Sequence, residues 1–144
     1  MVHREPVGVV AVIPWNSSFS STTSKMLPVL LAGNSLVLKV SPENSLSMGL
    51  LSELVDRIGL PEVVISVLPA DRDTSEYLIS HTRVDKIAFT GPTAAGHRIA
   101  PIASEQLKRV SLELDGKSAA VTLPDADLTA VTKGQYTEYQ TITV

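Results

Sequence analysis

The 144-residue sequence contains no cysteine. Within these residues this absence excludes a disulfide framework, a thiolate metal site and a cysteine nucleophile. The three histidines, His3, His81 and His97, are scattered without the spacing that metal ligands show. We therefore predict no metal site.

Long apolar runs and basic clusters are also missing. No apolar run reaches the roughly 18 residues that a membrane-spanning helix needs, and the N-terminal residues lack the apolar core of a signal peptide. We therefore expect a soluble cytoplasmic protein without a membrane partner. The net charge is −3 with no concentrated positive face, which argues against a nucleic-acid partner. Aromatic residues make up only 4% of the chain against 44% hydrophobic residues, so we predict an aliphatic core.

What is present is an alternation of strand-like and helix-like segments, which is typical of βαβ units. We predict an α/β fold of the Rossmann-like, doubly wound type, with a mostly parallel sheet and helices on both faces. One helix is expected to begin at Asp73 or Thr74. Another is predicted over 45–58, because its apolar residues recur at helical spacing and form a stripe: Leu46, Leu50, Leu51, Leu54, Val55 and Ile58. Further helices are predicted over 21–32 and 91–104, and strands over 7–13, 35–40, 63–69, 84–90, 108–114 and 118–123.

Parallel strands joined by right-handed crossovers bring all their carboxyl ends to one edge of the sheet. In open α/β sheets, ligands bind at that edge. The turns that follow the predicted strands are therefore the places to search for functional residues. They lie at 14–16, 39–43, 70–73, 91–96 and 113–117.

Two glycine-containing segments invite comparison with a nucleoside-triphosphate loop. The segment GPTAAGHR (91–98) has His97 and Arg98 where the loop needs lysine and serine or threonine. The segment DGKS (115–118) has Ser111 where the leading glycine is required. We therefore exclude such a loop. The turn at 91–96 is either a plain turn or an anion site at the start of a helix.

Four motifs occur in order on successive strand ends. They are PWN (14–16), LVLK ending at Lys39, FTGPTAAG (89–96) and LELDGKS (112–118). Together they resemble the cofactor-binding domain of the aldehyde dehydrogenase superfamily from about residue 5 to residue 128. We thus predict an NAD(P)-binding domain over 5–128 and an atypical tail over 129–144. The resemblance implies oxidation of an aldehyde to an acid with NAD or NADP, through attack by a cysteine and hydride transfer to the nicotinamide.

The resemblance implies two catalytic residues. Asn16 would donate its side-chain amide to the oxyanion that forms when the cysteine attacks. Glu113 would be the general base, and a partly buried carboxylate suits that role near neutral pH. The alternatives are an ordinary turn residue at position 16, and a structural carboxylate at 113 that pairs with Lys117 or Arg109.

The resemblance also implies a set of residues that bind the dinucleotide. Lys39 would hydrogen-bond the adenosine ribose, and the segment from Gly91 to Gly96 would lie under the pyrophosphate. Where many family members have an acidic residue that grips this ribose, the sequence has Pro42, with Glu43 one step later. The full set comprises Ile13, Pro14, Trp15, Asn16, Lys39, Ser41, Glu43, Phe89, Gly91, Pro92, Ala95, Gly96 and Leu114.

The catalytic cysteine and the substrate domain of the family have no counterpart in these 144 residues. We therefore expect a truncated homologue that binds a nicotinamide dinucleotide but does not oxidise aldehydes alone. An aldehyde would become its substrate only when a catalytic domain completes the site. Two alternatives remain: a stand-alone dinucleotide-binding module, and an interaction partner that forms homo- or hetero-oligomers with an intact family member.

Overall fold

The structure, a computed structural model, describes residues 3–15, 19–114 and 123–129. The chain divides into two compact units, residues 1–114 and 115–144. In the first unit, the elements are β1 (Val9–Ile13), α1 (Phe19–Leu31), β2 (Ser35–Val40), a 3₁₀ turn (Pro42–Asn44), α2 (Ser45–Ile58), β3 (Ile65–Pro69), α3 (Arg72–Ser80), β4 (Lys86–Gly91), α4 (Thr93–Glu105) and β5 (Arg109–Leu114). In the second unit, the described residues 123–129 form a turn in which the Ala126 N–H donates to the Leu123 carbonyl over 3.1 Å.

The five strands form one sheet in the order β3-β2-β1-β4-β5. Every strand pair in the described residues is parallel, and Val12 of β1 lies between Leu38 of β2 and Ala88 of β4. This confirms the predicted parallel α/β fold. The chain builds outward from β1 to β3, then returns to the other side of β1 with β4. The carboxyl ends of β1 and β4 therefore mark the topological switch point, where ligands of doubly wound folds bind.

The helices cover both faces of the sheet. On one face, α1 and α2 pack on a core that includes Val10, Val12 and Leu38. On the other face, α3 and α4 pack on a core that includes Ala11 and Ile87. Successive side chains of a strand point to opposite faces, so β1 to β4 contribute to both cores, whereas β5 contributes Val110 and Leu112 to the α3–α4 core. Both cores are mainly aliphatic, as predicted. None of the described helices is long and apolar enough to cross a bilayer.

Several element boundaries differ from the predictions for local reasons. Helix α3 begins at Arg72, before Asp73, because the Asp71 side chain accepts the Thr74 N–H over 2.9 Å and caps the helix. Strand β3 begins at Ile65 because Val63 has a positive φ of 64° and stands in a turn. Strand β4 begins later than predicted because Val84 closes a turn onto the His81 carbonyl. The predicted strand over 118–123 falls almost wholly outside the described residues.

The bounds of α2 match the prediction, but its predicted apolar stripe is only partly buried. Met48 and Leu51 are buried and Val55 is partly buried, whereas the remaining predicted positions are exposed. The apolar positions cover a wider arc of the helix than the one face that contacts the sheet. The exposed side chains are Leu46, Leu50, Leu54 and Ile58.

The buried side chain of Asn34 connects β1 to the end of α1. Its Oδ1 accepts the N–H groups of Val7 and Gly8 over 2.6 and 3.1 Å. Its Nδ2 donates to the Val29 carbonyl over 3.1 Å. These bonds satisfy backbone groups of two elements at once, and so fix where β1 enters the sheet.

Candidate functional site

A cleft of about 630 Å³ opens at the carboxyl ends of the strands, beside α3 and α4. Its size falls in the usual range of small-molecule sites, about 300–1,000 Å³. The lining combines apolar surface with a few charged groups. The lining residues are Ile13, Pro14, Trp15, Lys39, Ser41, Pro42, Asp71, Arg72, Ser75, Glu76, Ile79, Phe89, Thr90, Pro92, Ala94, Ala95, Arg98 and Ile99.

Most of the predicted cofactor-binding residues come together in this cleft. They arrive from three different strands and from the start of α4, so the sheet topology assembles them although they are far apart in sequence. The predicted residues that line the cleft are Ile13, Pro14, Trp15, Lys39, Ser41, Phe89, Pro92 and Ala95.

Gly91 and Gly96 are buried and do not belong to the cleft lining. A Cβ at Gly91 would come within 2.6 Å of the Phe89 ring. A Cβ at Gly96 would come within 2.8 Å of both methyl groups of Leu114. In this structure the two glycines permit close packing behind the cleft, and Leu114 shares that packing role.

Glu113 does not have the partial burial that we predicted from the sequence, because its side chain is 71% exposed. Its oxygen lies 3.9 Å from Lys25 Nζ of α1, instead of pairing with Arg109. Val110 and Leu112 of β5 face the α3–α4 core, so the alternating pattern of the strand directs Glu113 to the α1 face. Glu113 and the cleft therefore lie on opposite faces of the sheet.

Two predicted site residues lie wholly or partly outside the described structure. Asn16 falls between residues 15 and 19, and its predicted oxyanion role stays a prediction. For Glu43, the described structure gives only the backbone, which belongs to the 3₁₀ turn. Lys117, the other proposed partner of Glu113, also lies outside the described residues.

Ser41 carries the most informative polar atom of the cleft. The residue is only 8% exposed, and its Oγ is buried without a hydrogen-bond partner. It precedes the 3₁₀ turn but makes no capping bond to it. A buried hydroxyl without a partner is unfavourable by about 1–3 kcal/mol. Ser41 also belongs to the lining of the cleft.

The loops after β1 and β2 are joined next to Ser41. The Asn44 side-chain amide donates to the Trp15 carbonyl over 3.1 Å. This bond holds the loop that carries Trp15 against the 3₁₀ turn, and so fixes two walls of the cleft relative to each other.

The charged residues that α3 and α4 contribute to the cleft were not predicted as site residues. The hydrogen bonds from Thr74 chiefly lower the pKa of Asp71, and the positive charge of Lys39 adds a smaller effect in the same direction. The Arg98 guanidinium forms an ion pair with Glu76 across the two helices. An aspartate directly before a helix is a capping signal that the sequence did contain at Asp71. No comparable local pattern marks the Arg98–Glu76 pair, because it depends on how the two helices pack.

The start of α4 supplies a further feature for an anionic ligand. Pro92 occupies the N-cap position, and its carbonyl accepts the N–H groups of Ala95 and Gly96 over 2.9 and 3.2 Å. The N-terminus of a helix carries partial positive charge and favours phosphate groups. Pro92, Ala94 and Ala95 expose this helix start to the cleft.

Comparisons with known proteins agree with this geometry. The model of the aldehyde dehydrogenase family matches residues 1–139. Geranial dehydrogenase of Castellaniella defragrans is 47% identical over 132 residues, which are 91% of this chain and 28% of the relative. The NAD⁺ complex of aldehyde dehydrogenase from Bacillus cereus superposes with a TM-score of 0.82 at 36% identity, over 92% of this chain and 27% of the other. The NAD⁺ complex of the Mycobacterium tuberculosis aldehyde dehydrogenase has a TM-score of 0.79 and 45% identity, over 88% and 26%. The chain thus spans little more than a quarter of the length of these relatives.

Proposed function

Because the chain belongs to the aldehyde dehydrogenase family, we propose that it binds a nicotinamide dinucleotide in the cleft at the carboxyl end of its sheet. The dinucleotide that we propose first is NAD. The observation that carries this proposal is the buried, unpartnered hydroxyl of Ser41 in the cleft wall, one strand position beyond Val40 and near Lys39. NAD-bound solved relatives with the same fold support the choice of ligand.

The lining residues suit the parts of a dinucleotide. Lys39 would donate to hydroxyl groups of the adenosine ribose, and the start of α4 would face the diphosphate. The apolar side chains of Ile79 and Ile99 give a flat aromatic base a surface to bury against. When bound, the dinucleotide supplies a hydride acceptor. The chain's own residues hold and orient it.

The catalytic assignments remain part of the proposal. In an assembly that also contains a cysteine and a substrate domain, Asn16 would stabilise an oxyanion and Glu113 would accept a proton from water. The high exposure of Glu113 leaves it accessible to such water. Three further points also stay predictions: the division of the chain into residues 5–128 and 129–144, the cytoplasmic location, and the formation of oligomers.

The test is direct binding of NAD to the purified 144-residue chain, measured by titration calorimetry. Lys39→Met should weaken binding by about tenfold, because a hydrogen bond to a charged group contributes about 1.5–3 kcal/mol and part of it is recovered by water. Lys86→Met is the matched control, since Lys86 begins β4 at the opposite edge of the sheet. Absence of heat at millimolar NAD and NADP would contradict the proposal.

We further propose that these 144 residues alone do not oxidise aldehydes. They contain no cysteine to form the covalent intermediate. Absorbance of NADH after incubation of the pure protein with NAD and a panel of aldehydes should not rise above the protein-free rate. A rate that scales with protein concentration would disprove this part.

A further inference from the structure

Asp71 presents a fixed carboxylate at the cleft. It follows β3 and caps α3, and its Oδ1 accepts the Thr74 N–H over 2.9 Å. A carboxylate offers about four acceptor sites on its two oxygens, so this bond leaves capacity for a ligand. Because the cap holds the side chain in place, the carboxylate does not need to be ordered when a ligand arrives.

Asp71 lies beside the residue that is proposed to hold the adenosine ribose. Strands β2 and β3 are neighbours, with Lys39 paired to Leu68 and Val40 paired to Pro69. The Ala70 N–H continues the ladder by donating to the Val40 carbonyl over 3.1 Å. Asp71 is the next residue, and it interacts electrostatically with Lys39. The register of the two strands therefore puts the Asp71 carboxylate at the same edge of the cleft as Lys39.

Among the described residues that line the cleft, no other acidic group competes for the role. The position after Ser41, where an acidic residue is expected, holds Pro42 in the cleft wall. Glu76 also lines the cleft, but it is engaged with Arg98. In the described lining of the cleft, Asp71 is thus the carboxylate that is available beside Lys39.

We propose that Asp71 selects NAD over NADP, with its carboxylate at the end of β3 taking the place of an acidic residue at the end of β2. This inference rests on the proposed dinucleotide site. In NAD-binding α/β folds, a strand-end carboxylate accepts a hydrogen bond from the ribose 2′-hydroxyl. NADP carries a phosphate at that position, and two like charges in contact are unfavourable. Water screens an exposed carboxylate, so we expect NAD to bind about tenfold more tightly than NADP, a modest ratio for such a contact.

Arg72 is the group that could reverse this selection. It lines the cleft directly after Asp71, and a guanidinium binds phosphate well. If Arg72 controls the site, the wild-type chain will bind NADP at least as tightly as NAD. That result would overturn the inference.

The experiment titrates the full chain with NAD and with NADP at one fixed salt concentration. It compares the wild type with Asp71→Asn and with the control Asp73→Asn, which changes an acidic residue of the same helix outside the cleft lining. Asparagine still accepts the Thr74 N–H, so the helix start is preserved. In Asp71→Asn, the Kd for NADP divided by the Kd for NAD should fall from about ten toward one, chiefly because NADP binds more tightly. In Asp73→Asn this ratio should not change.

The outcomes separate the two proposals. If the wild type prefers NAD and Asp71→Asn loses the preference, the inference is supported. If the wild type binds NAD but the ratio is the same in Asp71→Asn, the inference is wrong while the dinucleotide site stands. If the wild type binds neither dinucleotide, the proposed function fails and the inference fails with it. Thermal unfolding of each variant shows whether a change in binding has been caused by loss of the fold.

Discussion

Replacing Ser41 by alanine should stabilise the free protein and weaken its binding of NAD. The Ser41 hydroxyl is buried without a partner, and such a group costs about 1–3 kcal/mol of stability. The lower end of this range applies, because the site borders an open cleft where the chain can relax. Alanine removes the oxygen without disturbing a helix cap, since the side chain makes no capping bond. We expect the free energy of unfolding to rise by about 1 kcal/mol.

The same substitution removes a contact that a bound dinucleotide gains. In the proposed complex, the ligand would supply the missing partner of the wild-type hydroxyl, so binding would relieve the penalty. Loss of that relief should raise the Kd for NAD by about tenfold, which corresponds to about 1.4 kcal/mol. At saturating NAD the stability advantage of Ser41→Ala should therefore disappear, because ligand binding adds more stability to the wild type.

Urea unfolding with and without NAD, together with calorimetry, measures both effects. Thr22→Val is the matched control. The Thr22 hydroxyl is likewise buried and unpartnered, but it lies in α1 and does not line the cleft. Thr22→Val should stabilise the free protein and leave the Kd unchanged. If Ser41→Ala destabilises the free protein and leaves NAD affinity unaltered, the hydroxyl is not a ligand-binding group.

Two further predictions concern the stability of the fold. Gly8→Ala should cost at least about 1–3 kcal/mol in urea unfolding, since Gly8 has a φ of 118° and a Cβ there would collide with the Asp85 carboxylate. Gly49 lies in the middle of α2 with open space around it, so Gly49→Ala should instead raise the free energy of unfolding by about 0.5–1 kcal/mol. A change of the same sign in both variants would contradict this reasoning. Asn34→Ala should cost about 2–4 kcal/mol, because it leaves the N–H groups of Val7 and Gly8 without their acceptor and removes one of two hydrogen bonds to the Val29 carbonyl. Asn44→Ala, which loses one exposed bond, should cost under about 1 kcal/mol, and equal losses would refute the role of Asn34.

The sequence predicted the fold because its signals are repeated and local. The continuous β-branched run of β1 and the bounds of β2 and α2 follow from apolar pattern and from glycine stops. The bounds of β3 and α3 were less predictable, because single hydrogen bonds and one residue with positive φ decide them. Which apolar side of α2 is buried depends on packing against the sheet, and no local pattern specifies it.

The candidate site shows the same division between local and spatial information. The motifs around Trp15, Lys39 and Phe89 identified the strand ends that meet in the cleft. They could not reveal that Asp71 interacts electrostatically with Lys39, because the register of β2 and β3 decides which residues are neighbours where these strands end. The motifs could not reveal the exposure of Glu113 either. This exposure depends on β5 being the last strand on its side of the sheet in the described residues.

The positions of Glu113 and the cleft set a geometric condition on any catalysis that uses this domain. Ile13 and Phe89 face the α3–α4 layer, whereas Glu113 faces α1. A dinucleotide that lies in the cleft must therefore pass over the carboxyl end of the sheet if Glu113 is to act near its nicotinamide. A side chain at Gly91 would press on the Phe89 ring in the cleft wall, so the absence of a side chain at this position helps to set the shape of the cleft.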